Sequence, residues 1–155
     1  MGKNPTDRGK PGTKRSLIVE GDGGPLGVVV AAANVHDSKL LEATIEAIVV
    51  ERPDPDEQEQ NLCLDNGYAG QATRDVAGRH DYEPHVRPIQ EEKSKAEARR
   101  HPPRRWVVER TLGWLSKCRA ILVRYAKKSC NYLGLIQLAC VLLWYRRYHR
   151  LSVSG

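Results

Sequence analysis

The chain has 155 residues, 40% hydrophobic and 28% charged, with a net charge of +6 and a pI near 9.3. That length supports one domain with a core and leaves little room for two, and the composition excludes a chain disordered throughout. The excess of base favours an anionic partner, nucleic acid first and an anionic membrane surface second.

Residues 1–15 are rich in Gly, Pro, Lys and Arg without apolar periodicity, which predicts a basic, extended, mobile arm ahead of one domain over residues 16–150. Ser16 to Glu20 reads as a strand, Gly21 to Pro25 as a turn and Leu26 to Ala33 as a second strand, together a β-hairpin. The second strand is apolar on both faces and calls for cover on both sides. Asp37 or Ser38 can cap a helix to about Val50, with Leu40, Leu41, Ile45 and Ile48 on its buried face.

An acidic loop with two prolines follows from Glu51 to Gln60. Leu62 to Leu64 is a short buried strand, residues 70–79 a short helix, and Tyr82 to Arg87 an edge strand interrupted by Pro84. Glu91 to Pro103 reads as charged loop. Arg104 opens a long helix with Val107, Thr111, Trp114, Cys118, Ile121, Leu122 and Tyr125 at helical spacing. Asn131 can cap a last helix to about Tyr148, apolar nearly all round and therefore expected to be buried. This order of strands and helices predicts an α/β fold.

Charge is segregated along this order. Residues 1–16 hold five bases and one acid, net +4. Residues 104–150 hold eleven bases and the single acid Glu109, net +10. The middle is then net −8, since +4, −8 and +10 give the +6 of the whole chain. Arg104, Arg105, Arg110, Lys117, Arg119, Arg124, Lys127, Lys128, Arg146, Arg147 and Arg150, interleaved with Trp and Tyr, form a surface able to neutralise phosphates or, more simply, a solvated basic face.

Two acids stand where phosphodiester chemistry would use them. Asp65 ends the buried strand and precedes Asn66 and Gly67, so it reads either as an Asx-turn residue or as a strand-end ligand in an α/β sheet. Glu109 is either half of a solvated ion pair with Arg105 or an acid carried into a cleft, since Trp106 and Leu112 make its surroundings partly apolar. Asp37, beside His36, reads first as a helix cap.

Cys63, Cys118, Cys130 and Cys140 form no CxxC and have no zinc-finger spacing with His, so each reads as a small buried hydrophobe. The longest apolar stretch, Tyr132 to Tyr145, is fourteen residues, short of the ~20 that span a bilayer. No signal peptide opens the sequence, and a reduced, cytoplasmic setting without a membrane is expected.

Four blocks in order carry a family resemblance: Asn4 to Lys10 (NPTDRGK), Ala33 to Ser38 (ANVHDS), Leu64 to Tyr68 (LDNGY), and Arg105 to Thr111 (RWVVERT) with Trp114. They resemble the DDE transposases of bacterial insertion sequences, most closely the insertion sequence 5 group. The resemblance implies a ribonuclease H-like fold, a mixed sheet flanked by helices. It also implies three acids, Asp, Asp and Glu, that hold Mg²⁺ or Mn²⁺ for DNA cleavage and strand transfer.

By the motif match Asp65 is the second Asp and Glu109 the Glu, both catalytic and metal-binding. Arg105, Arg110, Lys117, Arg119, Arg124, Lys127 and Lys128 are the implied DNA contacts. In the family's Tyr, Arg, Glu, Lys signature Arg105 and Glu109 match, Pro102 stands at the Tyr place, and Ser116 at the Lys place with Lys117 one residue later. The first Asp and its central strand would lie upstream of Asn4, outside this sequence, and Asp7, Asp22 and Asp37 are not placed to replace it.

The expectation is thus a C-terminal part of a transposase catalytic domain with one central strand missing. Such a chain would work on insertion-sequence ends and target DNA, in a homo-oligomer or with the upstream half of a split reading frame. The alternative is an inactive fragment that only binds DNA or regulates, or a remnant.

Overall fold

The computed structural model describes residues 1–4, 8–86 and 105–153. Its elements, in chain order, are β1 (Gly2–Lys3), β2 (Pro11–Val19), β3 (Pro25–Ala32), a 3-10 turn (Asp37–Leu40) running into α1 (Leu41–Glu46), β4 (Asn61–Leu64), α2 (Gln71–Arg79), β5 (Glu83–Val86), α3 (Arg105–Ser116), α4 (Arg119–Leu122) and α5 (Ser129–Val153). The fold is mixed α/β. No helix among the described residues is long and apolar enough to cross a membrane.

Strands β1, β2 and β3 form an antiparallel sheet, while β4 and β5 pair in parallel as a second, two-stranded sheet. Thr13 faces Ala32 and Leu17 faces Val28, and the ladder shifts register between Ile18 and Val19 as it enters the turn. In that turn the Glu20 carboxylate accepts from the backbone of Asp22 and Gly24. Gly23 takes φ +93°, and a Cβ there would come within 2.9 Å of the Arg110 guanidinium, so glycine is required both for the backbone and for the packing of α3.

The hairpin is a partition between two cores, as alternation along a strand dictates. Val28, with Leu17 and Val30 packed nearby, meets Leu115, Ile121, Tyr132 and Ile136 of α3, α4 and α5. Ile18 meets Leu41, Ile45, Leu62, Leu64 and Ala77 of α1, β4 and α2 on the other side. Polar groups in these cores are paired: Thr44 donates to Ser16 at 2.7 Å, and the Tyr132 hydroxyl donates to the Ile121 carbonyl at 2.8 Å. The two-sided cover expected for the second strand is present.

Several element boundaries differ from the sequence reading. Within the stretch read as an arm, Pro11 to Arg15 belongs to β2, because Thr13, Lys14 and Arg15 pair with Ala32, Ala31 and Val30, and β1 adds a short third strand. The helix expected to reach Val50 stops at Glu46, where the Val49 N–H turns to the Leu26 carbonyl. His36, not Asp37 or Ser38, supplies the cap: its ring Nδ1 accepts from the Ser38 N–H. The long helix breaks after Ser116, whose hydroxyl donates back to the Leu112 carbonyl, and its buried stripe is Val107, Thr111 and Leu115, with Trp114 and Cys118 exposed. The charged loop expected over Glu91 to Pro103 lies outside the described residues.

Two expectations of burial are corrected. Cys63, Cys118 and Cys130 are exposed, and only Cys140 is partly covered; burial pushes its thiol up to about 11. Helix α5 buries one face, not all of its circumference, because the hairpin covers one side of it while Leu138, Val141 and Tyr145 stay more than half exposed.

One feature of the sheet bears on the site. Ile18 of β2 and Leu64 of β4 pack into the same core cluster, yet β2 and β4 are not hydrogen-bonded to each other. Strand β1 covers only Pro11 and Gly12 on the outer edge of β2. From Thr13 to Val19 that edge has no strand partner among the described residues, nor has the edge of β4 away from β5. Unpaired edges of this kind can template a further strand.

Candidate active site and nucleic-acid interface

Asp65 follows the last residue of β4 and turns the chain. Its Oδ1 accepts from the Gly67 N–H at 2.9 Å, and its carbonyl from the Tyr68 N–H at 3.1 Å. This is an Asx-type turn, and the carboxylate itself stays exposed. Tyr68 points inward, bonded to the Ser16 side chain. Burial raises its pKa, and the nearby carboxylates of Asp37 and Asp65 raise it further. Asp37 also pairs with Lys14 at 3.0 Å.

The structure therefore gathers Asp37, Asp65, Tyr68, Ser16 and Lys14 about the middle of β2. In the sequence Asp37 reads first as a cap; the structure gives the cap to His36 and sets Asp37 beside Lys14 and Tyr68.

Glu109 is exposed on α3. Its neighbours fix the helix to the turn of the hairpin: Thr111 donates to the Gly23 carbonyl at 2.7 Å, and Arg110 donates to the Asp22 carbonyl. Farther along α3, Ser116 accepts from Arg15 at 3.2 Å, so the helix runs antiparallel to β2 and Glu109 lies beyond Thr111, away from Ser16. From Ser16 to the end of β2 at Val19 is three residues, roughly 10 Å of strand, before the turn that holds Gly23. Asp65 belongs with the α1 side of the hairpin and Glu109 with the α3 side.

A shared two-ion site needs ligands converging on ions about 4 Å apart. Asp65 lies at the end of β4 and Glu109 on α3, both exposed. Among the described residues one group of three potential metal ligands converges, Glu42, Glu46 and His80, with ligand atoms within 4.8 Å of one another. It contains neither Asp65 nor Glu109, and Glu42 is already paired with Arg79 at 2.6 Å.

The basic residues divide into two groups. Arg124 is a clamp: its guanidinium donates to the Ala126 and Lys127 carbonyls and to Thr13, and lies 5.2 Å over the Tyr132 ring. Arg147 binds Glu20 and Asp22. Burial alone would raise the Glu20 pKa, but the backbone N–H groups of Asp22 and Gly24 together with Arg147 hold it below 4.5. Arg110 lies 4.7 Å over Trp106 and 5.7 Å over Trp114, both exposed, which builds a Trp–Arg–Trp ladder on the outward side of α3.

Lys117, Arg119, Lys127 and Lys128 are exposed. Arg105 lies in the first turn of α3 with its side chain outside the described residues, as is the whole of Arg104. Sequence reasoning placed Trp114 in the core stripe and did not anticipate the ladder. The spacing of Trp106, Arg110 and Trp114, four residues apart each time, was the signal.

Comparison with known proteins agrees with the four sequence blocks. The model of the transposase DDE domain matches residues 2–144. A Burkholderia cepacia protein named as a transposase for insertion sequence element IS402 is 29% identical over 156 aligned residues, covering 99% of this chain and 72% of the relative. No solved structure matches. A family match over nearly the whole length, on a chain carrying an Asp at a strand end, a Glu on a helix and a concentrated basic surface, establishes that the protein belongs to the DDE transposases of insertion sequences.

Proposed function

We propose that this chain is the C-terminal portion of a transposase catalytic domain, built on a ribonuclease H-like sheet that lacks one central strand between β2 and β4. The observation that carries this reading is the pair of unpaired edges: Ile18 and Leu64 pack on one core, but their strands do not bond. A strand seated there would join the two small sheets into one. Its carboxyl end, running parallel to β4, would deliver a side chain beside Asp65 and Asp37.

Family membership implies DNA as the partner and a divalent metal as cofactor. In the proposed reading the DNA is an insertion-sequence end and its target, the metal is Mg²⁺ or Mn²⁺, and the setting is the cytoplasm. Asp65 and Glu109 are the acids for strand cleavage and strand transfer, completed by an acid on the strand that fills the slot. Lys117, Arg119, Lys127 and Lys128 hold phosphate, with Trp106 and Trp114 offering apolar faces beside them. Arg105 serves from the start of α3.

The test supplies the missing strand. A chain extended at its N-terminus by a strand ending in Asp, the upstream half of a split frame or its equivalent, is expected to nick duplex DNA with Mg²⁺. Asp65→Ala and Glu109→Ala in that extended chain are expected to abolish nicking while DNA binding survives. If both variants still cut, the site assignment is wrong. A second reading, a fragment that binds DNA or competes in assemblies without cutting, is favoured by β2 and β4 standing in separate sheets. It predicts binding without nicking even in the extended chain.

A further inference from the structure

In the pairs Asp22–Gly23 and Asn66–Gly67 a side-chain carbonyl carbon is followed by an amide nitrogen that no neighbouring Cβ shields. Such a nitrogen can close a five-membered ring on the side-chain carbonyl of the residue before it. The structure treats the two pairs differently. The Gly23 N–H is committed to the Glu20 carbonyl at 2.9 Å, and the Asp22 carboxylate is held by Arg147 at 3.1 Å. Ring closure there would break both bonds.

Asn66–Gly67 lies in a short 3-10 turn over Asn66–Tyr68, with both residues exposed. Among the described residues no hydrogen bond holds the Asn66 side-chain amide, so it is free to swing onto the backbone. The acceptor of the Gly67 N–H is a side chain, the Asp65 carboxylate, at 2.9 Å. That distance is within the reach of a general base, and the charge on the acceptor draws the proton away from nitrogen.

We propose that Asn66 is a site of covalent self-modification, with Asp65 as the base that assists attack by the Gly67 nitrogen on the Asn66 side chain. In the first step the Gly67 nitrogen bonds to Cγ of Asn66. The proton of that nitrogen passes to Asp65 and from there to the side-chain nitrogen, which leaves as ammonia when its bond to Cγ breaks. The product is a cyclic imide, and Asp65 is a carboxylate again. In the second step water adds to one of the two imide carbonyls. Opening at Cγ gives aspartate. Opening at the former backbone carbonyl gives isoaspartate, with the chain running through the old side chain.

The sum exchanges ammonia for water and needs no oxidant, reductant or cofactor. Both products rewrite the turn. Aspartate sets a second carboxylate next to Asp65. Isoaspartate lengthens the backbone by one carbon between Asp65 and Tyr68, which disrupts the bond from the Tyr68 N–H to the Asp65 carbonyl at 3.1 Å. The modification stands apart from the function proposed above; its effect on that function rests on the role given there to Asp65.

The test is peptide mass mapping of the purified full chain, held in warm neutral buffer made with heavy-oxygen water, beside a synthetic peptide of residues 61–70. The full chain is expected to gain aspartate and isoaspartate at position 66, each with one heavy oxygen, at least as fast as the peptide does. Asp22–Gly23 should stay unchanged over the same time. Asp65→Asn keeps an acceptor oxygen and removes the charge, and should slow conversion in the full chain roughly 10-fold or more. The same change in the peptide should have little effect, because no fold holds the base in place there.

A second variant acts through space rather than charge. In Gly67→Ala the added Cβ would lie 3.1 Å from Oδ1 of Asp65, and conversion should be suppressed with far-UV circular dichroism unchanged. A full chain that converts more slowly than the peptide, or not at all, overturns the proposal, since the folded turn then protects Asn66. Equal rates in the parent chain and Asp65→Asn overturn it as well, since the base is then not Asp65.

Discussion

Replacing Lys127 and Lys128 together by alanine separates phosphate-contacting bases from bases that hold the fold. Both are exposed, at the entry to α5, as are Lys117 and Arg119 nearby in sequence. If these four neutralise one phosphate each, they contribute about −3.6 to the slope of log K against log salt, or on the order of a 100-fold loss of DNA affinity between 50 and 200 mM salt. The double variant should retain about −1.8 of that contribution, and its affinity loss over the same range from the remaining pair should be only about 10-fold. Fluorescence anisotropy with a labelled duplex across a salt series measures both slopes.

Arg124→Ala is the contrast. Arg124 is occupied by Thr13, two carbonyls and the Tyr132 ring, so its loss should lower the melting temperature and leave the slope nearly unchanged. An unchanged slope in the lysine double variant, or a slope change in Arg124→Ala equal to that of a lysine, would refute the division.

Other consequences are independent of DNA. Thr111→Val leaves the Gly23 carbonyl without its buried donor and should cost about 1–3 kcal/mol by denaturant unfolding. Ile136→Ala empties a fully buried position between α5 and the hairpin and should cost about 2–5 kcal/mol in the same assay. The folded-state pKa of Glu20 is lowered, so its stabilising effect is present above its unfolded value and is lost as pH falls through the folded value; melting temperatures of the parent should drop below about pH 4.5 more steeply than those of Glu20→Gln. At pH 8 iodoacetamide should label Cys63, Cys118 and Cys130 well before Cys140, whose thiol is partly buried and titrates near 11; equal labelling would show that α5 does not pack as described.

The hairpin, the acidic loop, the short strand before Asp65 and the short helix over residues 71–79 were legible in the sequence, because each rests on local patterns: alternation, glycines in a turn, prolines in a loop. Helix ends were less legible. The stop after Glu46 depends on a bond from Val49 to a distant carbonyl, and the break after Ser116 on how α4 must reach Tyr132. The burial of α5 could not be judged from its composition, since an all-round apolar helix states how much surface needs covering without stating what covers it.

Asp65 and Glu109 were legible as acids in telling places, and the family blocks gave them roles. The seating of α3 was not legible, because it follows from Thr111 and Arg110 locking that helix to the turn at Gly23, contacts 88 residues apart in the chain. Asp37 was legible only as a cap, although it stands beside Tyr68 and pairs with Lys14.

The most direct test of the central claim is nicking of duplex DNA by the purified chain with Mg²⁺ or Mn²⁺, beside Glu109→Ala. With β2 and β4 unjoined, the chain alone should bind DNA in a salt-dependent way and cut no more than the variant does. Metal-dependent nicking by the chain alone, lost in Glu109→Ala, would contradict the account and mean that the acids already present assemble a working site without a further strand.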